Sequence, residues 1–220
     1  MMRPLTLAEL KLAARDFVRE LSLTPISDLY GATDGKAIGT YVEQKFHRFL
    51  QEHFSHSPGS SASGIDFPDL GVDLKATSIR QPQSSCPFRE ASQKVYGLGY
   101  HLMVFVYEKA DDTATATARL TIRHAIFVSR ERTGDYQTTR GLRELLARGA
   151  NQDDIIAFLE ERHLPLEEVG RTLLAERILR EPPELGYLTV SNALQWRLQY
   201  GRVINAAAGG EIDGVEQLHG

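Results

Sequence analysis

The stretch GIDFPDLGVDLKAT at residues 64–77 contains three charged side chains whose spacing suits hydrolytic chemistry. Asp73 and Lys75 are two positions apart, so on a β-strand their side chains project from the same face. Residues 68–71 carry turn chemistry, which predicts two short antiparallel strands joined by a tight turn. In that hairpin Asp66 lies almost opposite Asp73, with the Cβ atoms about 5 Å apart. We therefore predict that the three side chains share one rim.

This rim suits a hard divalent cation. Two carboxylates at that separation repel each other unless a cation lies between them, and Mg²⁺ takes oxygen ligands while keeping several waters. Lys75 beside such a site can orient a water, lower its pKa, or stabilise the negative charge that develops on a phosphate. These are the requirements for hydrolysis of a phosphodiester bond.

Glu43 is a fourth candidate for the same chemistry. It lies at the edge of the apolar stripe of a helix predicted over about residues 36–54, one turn after Gly39. Because glycine has no side chain, the helix can approach the hairpin closely there. Glu43 is therefore predicted to reach the rim as a base or as a ligand of a second metal ion.

In this order, Glu43, Asp66, Asp73, Leu74 and Lys75 resemble the motif of the PD-(D/E)XK nuclease superfamily, which includes many type II restriction endonucleases. The resemblance covers about the stretch from residue 35 to residue 130. It implies that Glu43, Asp66 and Asp73, with the backbone carbonyl of Leu74, bind Mg²⁺, for which Mn²⁺ would substitute. It also implies that Lys75 assists the attacking water.

Two alternatives accompany this interpretation. Pro68 and Asp69 also spell the letters PD, but Asp69 is too close to Asp73 in the sequence to be the first metal ligand, so Asp66 is preferred. The letters alone arise by chance about once in a chain of this size. The alternative for Asp66, Asp73 and Lys75 is then a structural ion pair on the surface.

The remaining pattern predicts an α/β sandwich. A capping box at Thr6 and Glu9 begins a helix over about 6–21, and a short helix is expected over about 88–98. A strand follows from Tyr100 to Glu108, apolar on both faces as in a central strand, and then a strand over 118–129. By resemblance, the fold class is a restriction-endonuclease-like αβα sandwich with a central mixed sheet.

The last third of the chain is predicted to be helical. Helices are expected over about 139–148, 151–162, 166–180 and 190–201, followed by a frayed tail after Ala208. The chain is therefore divided into a nuclease core with its N-terminal helix at 1–137 and a helical C-terminal extension at 138–220, for DNA recognition or dimerisation.

Six polar residues are candidates for contacts with DNA: Gln93, Lys94, Asn192, Gln195, Arg197 and Gln199. The first two lie on the short helix after the hairpin, and the other four lie on the predicted last helix, with Ser191 as its N-cap. Amide and guanidinium groups of this kind read base edges in the major groove. The alternatives are a solvated face for the first helix and packing of the last helix onto the core or a second subunit.

Charge and cysteine content exclude some classes of protein. The net charge of -4 excludes a bulk polycation, although seven arginines lie between Arg119 and Arg148. That stripe indicates either a polyanion site or a salt-bridged surface. The single cysteine, Cys86, excludes an internal disulfide and a thiol-based zinc site.

These observations together predict a Mg²⁺-dependent nuclease that cuts double-stranded DNA at specific sites. Cutting both strands of a symmetric site requires two active centres, so a homodimer is expected. A structure-specific repair or recombination nuclease of the resolvase kind and a non-cutting DNA-binding module are the alternatives. The sequence shows no signal peptide and no membrane span, so the protein is expected in the cytoplasm, without a membrane partner.

Overall fold

The structure of the protein is a computed structural model that describes residues 3–56, 59, 64–85, 90–191, 197–210 and 212–220. Cys86, Asn192 and Gln195 therefore lie outside the described residues. The helices are α1 (Leu7–Leu23), α2 (Gly35–Gln51), α3 (Gln93–Tyr96), α4 (Tyr136–Ala147), α5 (Gln152–Glu161), α6 (Glu168–Arg180) and α7 (Gly201–Ala208). The strands are β1 (Arg3–Pro4), β2 (Phe54–Ser55), β3 (Val72–Ser78), β4 (Gln83–Ser85), β5 (His101–Asp112), β6 (Thr117–Val128), β7 (Thr189–Val190), β8 (Arg197–Gln199) and β9 (Val215–His219).

A four-stranded sheet in the order β3-β5-β6-β9 forms the centre of the molecule. β3 pairs parallel with β5, whereas β5 pairs antiparallel with β6 and β6 antiparallel with β9. Every residue of β5 from Leu102 to Tyr107 is buried, as expected for a strand covered on both faces. The predicted α/β class with a mixed central sheet is therefore confirmed, and β3 lies at one edge of this sheet.

Helices α1 and α2 cover one face of the sheet. Thr6 and Glu9 form the predicted capping box of α1, and the carboxylate of Asp34 caps α2 by accepting the N–H groups of Lys36 and Ala37. The apolar stripes of both helices meet the sheet in an aromatic cluster, in which ring centroids of Phe17, Phe46 and Phe105 lie 5.0–5.6 Å apart. This packing fixes α2 against the sheet.

The other face of the sheet is covered by α7 and by a small antiparallel sheet in the order β4-β8-β7. Val104 and Ile126 of the central sheet pack in one buried cluster with Leu198 of β8 and with Tyr200 and Val203 around the start of α7. Helices α4, α5 and α6 form a separate apolar cluster that includes Val95 of α3. The three helices lie close to the positions that the sequence predicts.

The predicted hairpin at 65–77 is only partly correct. Residues 68–70 form a 3-10 turn that ends at Gly71, whose φ of 61° is left-handed, and the antiparallel pairing is limited to one bridge between Phe67 and Val72. The ladder stops there because the N–H of Leu74 donates to the Asp66 side chain at 2.8 Å and not to a backbone carbonyl. Asp66 is therefore not on a strand, although it still lies beside Asp73.

Two predictions for the C-terminal region are wrong. Residues 197–199 form strand β8 and not a helix, because exposed Arg197 and Gln199 alternate with buried Leu198, and the helix begins only at Gly201. The tail after Ala208 does not fray in its last part. Val215 and Leu218 are buried, and β9 pairs with β6 at the edge of the central sheet.

The helix predicted over about residues 88–98 is shorter than predicted, since α3 spans only four residues. The division of the chain at residue 137 stays a prediction, while β9 adds residues 215–219 to the sheet of the first part.

Among the described residues, no helix has both the length and the apolar character that crossing a membrane requires.

Candidate active site

The site is built on the free edge of β3. The N–H groups of Leu74 and Ala76 point away from β5, and side-chain carboxylates accept both of them: Asp66 binds Leu74 at 2.8 Å, and Glu43 binds Ala76. In an extended strand the C=O of a residue points to the same side as its N–H, so the carbonyl of Leu74 also faces this edge. Three of the four predicted metal ligands, namely Glu43, Asp66 and the carbonyl of Leu74, thus lie at this edge.

Asp73 and Lys75 form the second half of the site. Lys75 Nζ lies 2.7 Å from Asp73 Oδ2, and the Asp73 side chain is only 6% exposed. The carboxyl groups of Asp73 and Asp66 are close enough to form a hydrogen bond when Asp73 is protonated. The structure therefore brings Glu43, Asp66, Asp73 and Lys75 together, as the spacing of these residues predicts.

Below about pH 7 the two aspartates hold one proton between them. Burial and the neighbouring Asp66 raise the pKa of Asp73 to about 7, although the charge of Lys75 opposes this. Burial acts in the same direction on Asp66, but the nearby His47 ring, the carboxyl group of Asp73 and the hydrogen bond from the N–H of Leu74 lower its pKa to about 2. Two carboxyl groups this close cannot both ionise unless positive charge is added. Ionisation of both aspartates at neutral pH therefore requires a further positive charge besides that of Lys75.

The pKa values of Lys75 and Glu43 are both raised. Burial favours neutral Lys75, but the charges of Asp73, Asp66 and Glu43 outweigh it and raise the pKa of the ammonium group. Burial also raises the pKa of Glu43, an effect that Lys75 reduces and Asp66 reinforces. Lys75 consequently stays protonated at neutral pH. It serves as a cation and a hydrogen-bond donor, not as a base.

Gly39 lets α2 approach β3. A Cβ atom built on Gly39 would lie 3.2 Å from the carbonyl oxygen of Ala76, which is closer than most such contacts. Glu43 is one helical turn further along α2, so its reach to the N–H of Ala76 depends on this approach. The prediction that glycine at 39 serves close approach agrees with this geometry.

Gly39→Val is expected to lower the free energy of unfolding by about 1–3 kcal/mol, as overpacking usually does, and to lower DNA cleavage as well, because it moves Glu43 away from β3. Urea unfolding followed by circular dichroism measures the first effect. Gly201→Val is the control, since a Cβ atom at Gly201 meets nothing within 4 Å. Equal stability of the two variants would contradict the close-approach argument.

His47 belongs to the site although the sequence did not single it out. Its Nε2 lies 3.7 Å from Asp66 Oδ1, and its ring stacks on Phe67 with centroids 4.7 Å apart. His47 follows Glu43 by four residues on α2, so both face the same side. That helical spacing was the available signal. His47 thus lies near one oxygen of the Asp66 carboxylate, while the N–H of Leu74 binds the other.

Two cavities meet at the site and share Glu43 and Lys75. The catalytic pocket, of about 310 Å³, is also lined by Asp66 and Asp73. The main cleft, of about 780 Å³, runs from there between α2, the end of β3, β4 and β8. The candidate catalytic groups therefore lie at one end of a continuous depression.

The main cleft is electrostatically suited to a polyanion. Its lining includes Lys36, Arg80 and Arg197, while Glu43 is its one acidic lining residue among those described. All three cations are exposed, and within the described chain none of them forms a salt bridge. Unpaired positive charge in a concave surface attracts nucleic acid phosphates.

The arginines between 119 and 148 do not line this cleft. Five of these arginines form ion pairs, namely Arg123, Arg130, Arg132, Arg140 and Arg143, with the acids Glu108, Glu131, Glu184, Asp213 and Glu144. Of the two interpretations of the stripe, the structure favours the salt-bridged surface. The cations of the cleft come instead from three separate parts of the chain.

Gln93 and Lys94 lie away from both cavities. The amide of Gln93 bonds to backbone groups of its own neighbourhood, donating to the carbonyl of Leu98 at 3.2 Å. Lys94 is 3% exposed, and burial lowers its pKa despite the charge of Asp135. A buried ammonium group cannot reach DNA without rearrangement, so contact of these two residues with DNA stays a prediction. Asp69 lies on the 3-10 turn and does not line the catalytic pocket.

The donor groups match a hard cation in chemistry but are not yet arranged around one. In the described part of the chain, no group of three Asp, Glu, His or Cys side chains has its donor atoms arranged so that they could hold a metal ion. The ammonium of Lys75 instead occupies the cation position beside Asp73. The two carboxylates and the carbonyl of Leu74 are all oxygen donors, the type that Mg²⁺ prefers, and the proton shared by the aspartates is the group that a metal ion would replace.

Two comparisons with known proteins match nearly the whole chain to one family. The family model described as Type II restriction enzyme NspV matches residues 4–217, a span that contains all four candidate catalytic residues. A curated relative, Type II restriction enzyme NspV from Nostoc sp., is 56% identical over 211 residues, which cover 96% of this chain and 95% of the relative. No solved structure gives a significant match.

Proposed function

Because the chain belongs to the NspV family of type II restriction enzymes, we propose that it cuts double-stranded DNA at specific sites with the help of Mg²⁺. The observation that carries this proposal is the convergence of Glu43, Asp66, Asp73 and Lys75 at the free edge of β3, at the end of a cleft whose Lys36, Arg80 and Arg197 form no salt bridge with the described residues. The arrangement supports a PD-(D/E)XK type of active site in a restriction-endonuclease-like αβα sandwich.

Asp66, Asp73 and the carbonyl of Leu74 would hold the Mg²⁺ ion. Bound there, Mg²⁺ supplies Lewis-acid charge to the scissile phosphodiester. The His47 ring and the N–H of Leu74 hold the carboxylate of Asp66 in place from two sides. When Asp73 gives up its shared proton, both aspartates are ionised and oriented toward the same position.

Lys75 and Glu43 act on the reacting groups. Lys75 Nζ keeps its proton at neutral pH, so it donates hydrogen bonds to the phosphate oxygens and offsets the negative charge that grows there. Burial raises the pKa of the Glu43 carboxylate, so this group is suited to accept a proton from the attacking water. Glu43 faces both the catalytic pocket and the main cleft, where a DNA strand would enter.

Plasmid DNA incubated with the protein and millimolar Mg²⁺ is expected to give a small set of discrete fragments. EDTA is expected to stop the reaction, and Mn²⁺ to restore it, because both metals take oxygen ligands. Gel electrophoresis and sequencing of the fragment ends measure the result. Calcium, which also takes oxygen ligands, is the control for binding without cleavage.

The outcome also separates the alternatives. A smear in place of bands would indicate cutting without sequence specificity. Cleavage of branched DNA regardless of sequence would favour a structure-specific nuclease. Intact plasmid with every divalent metal would favour a DNA-binding module that does not cut. Cutting of both strands at a symmetric site would agree with the proposed homodimer, which brings two active centres to one site.

A further inference from the structure

The small sheet β4-β8-β7 has one buried and one polar face. Leu198 of β8 is fully buried, and Ser84 of β4, its register partner, has its hydroxyl 2.6 Å from the hydroxyl of buried Tyr200. Side chains alternate along a strand, so the neighbours of these two residues face outward. The outward row is Gln83 and Ser85 on β4, and Arg197 and Gln199 on β8, paired as Gln83 with Gln199 and Ser85 with Arg197.

This polar face continues the surface that contains the active site. Gln83, Ser85 and Arg197 line the main cleft together with Lys75. Gln199 and Thr189 of β7 line an adjoining depression of about 470 Å³. The polar row thus extends from the cleft across the sheet. Its side chains are two amides, a guanidinium and hydroxyls, all of which carry hydrogen-bond donors.

The sheet is also tied directly to the catalytic strand. The hydroxyl of Thr77, two residues after Lys75, accepts the N–H of Gln83 at 3.1 Å and donates to the carbonyl of Gln83 at 3.0 Å. Thr77 is 5% exposed, so these bonds are shielded from water. The position of β4 relative to the catalytic residues is therefore defined by contacts within the protein.

We propose that the polar face of β4-β8-β7 enters the major groove of the DNA duplex and reads base edges, with Arg197 and Gln199 as the residues that determine sequence specificity. The major groove is about 12 Å wide and admits a two-stranded β-ribbon. Arginine binds guanine O6 and N7 through two hydrogen bonds, and glutamine binds adenine N6 and N7. This inference rests on the proposed function and names the surface that selects the site.

Lys36 and Arg80 have a different task in this arrangement. They line the same cleft, but they lie on α2 and in the turn after β3, outside the row of paired outward side chains. Contacts with phosphates position a duplex without reading its sequence. Loss of Lys36 is therefore expected to weaken binding to all sequences alike, whereas a change at Arg197 is expected to act at one base pair.

The test compares Arg197→Lys and Gln199→Ala with the unmodified protein on duplexes that carry its mapped site or a single base-pair change of that site. Lysine keeps the charge of Arg197 but loses the two-pronged hydrogen bonding. For each variant, the ratio of kcat/KM between the correct and the altered site is expected to fall about 5- to 150-fold at one base pair and its symmetry mate. Where cleavage is too slow, the same ratio is obtained from binding in Ca²⁺.

Two control variants define the background. Arg15→Lys makes the same chemical change at an exposed position on α1 that lines neither cavity, and it should leave every ratio unchanged. Lys36→Ala should weaken binding to all duplexes and reduce the salt dependence of binding by about one phosphate contact. Unchanged discrimination at every base pair in both test variants would overturn the proposal. Absence of cleavage by the unmodified protein would instead overturn the proposed function.

Discussion

Asp73→Asn is expected to abolish DNA cleavage while leaving the protein folded. Asparagine keeps the shape of the side chain but supplies no charge, so the site loses one of the two carboxylates proposed to bind the metal ion and with it the affinity for a divalent cation. Loss of metal-assisted charge stabilisation is worth several kcal/mol. We therefore expect the rate to fall at least about a thousandfold, at 1.36 kcal/mol for each factor of ten.

The pH dependence of stability separates a catalytic effect from a structural one. The pKa of Asp73 is raised from 3.8 to about 7 in the folded protein, so between these values the folded state binds a proton that the unfolded state releases. The contribution of Asp73 to stability is therefore greatest below pH 4 and is lost as the pH rises through 7. Asparagine mimics the protonated form, so the melting temperature of Asp73→Asn should not fall below that of the unmodified protein at pH 8.

Single-turnover cleavage and thermal melts over pH 5 to 9 measure both effects. Asp69→Asn makes the same change on the exposed 3-10 turn, outside the catalytic pocket, and should preserve cleavage. Cleavage by Asp73→Asn at a normal rate would remove Asp73 from the site. An inactive Asp73→Asn that also melts well below the unmodified protein at pH 8 would show that the carboxylate has a structural role.

Much of the site was predictable because it depends on local spacing. The pairing of Asp66 opposite Asp73 follows from a turn of fixed length between them, and the single bridge at Phe67 and Val72 is enough to keep that register. The helical period places Glu43 one turn after Gly39, where the backbones approach. Hydrophobic patterns also predicted α1, α2, β5 and β6, since long buried segments have strong periodicity.

The parts that could not be predicted depend on tertiary partners. The segment at 197–199 has both helical and alternating character, and its strand forms only because β4, more than a hundred residues earlier, pairs with it. The arginine stripe was ambiguous because its partners Glu184 and Asp213 are distant in the sequence. The cations of the main cleft are isolated residues in the sequence, so no charge run marked them.

Lys75→Met is the second substitution with a large expected effect. Methionine fills a similar volume without charge, so the developing negative charge on the phosphate loses its nearest side-chain cation. Removal of one preorganised donor usually lowers the rate about 10²- to 10³-fold, and we expect a loss of that size. Lys75→Arg is the matched control, since it keeps the positive charge, and it should retain more activity than Lys75→Met.

The pH profile tests this role of Lys75 beyond the loss of rate. The charge of Lys75 lowers the pKa of Asp73, so its removal should raise that pKa above its present value of about 7. Cleavage by the unmodified protein should rise with pH through 7, as Asp73 loses its proton, and the rise in Lys75→Met should shift to higher pH. Because the pKa of Lys75 is raised above 10.5, no fall in rate from its deprotonation is expected up to pH 9. An unshifted profile in Lys75→Met would mean that Lys75 and Asp73 do not interact in the active complex.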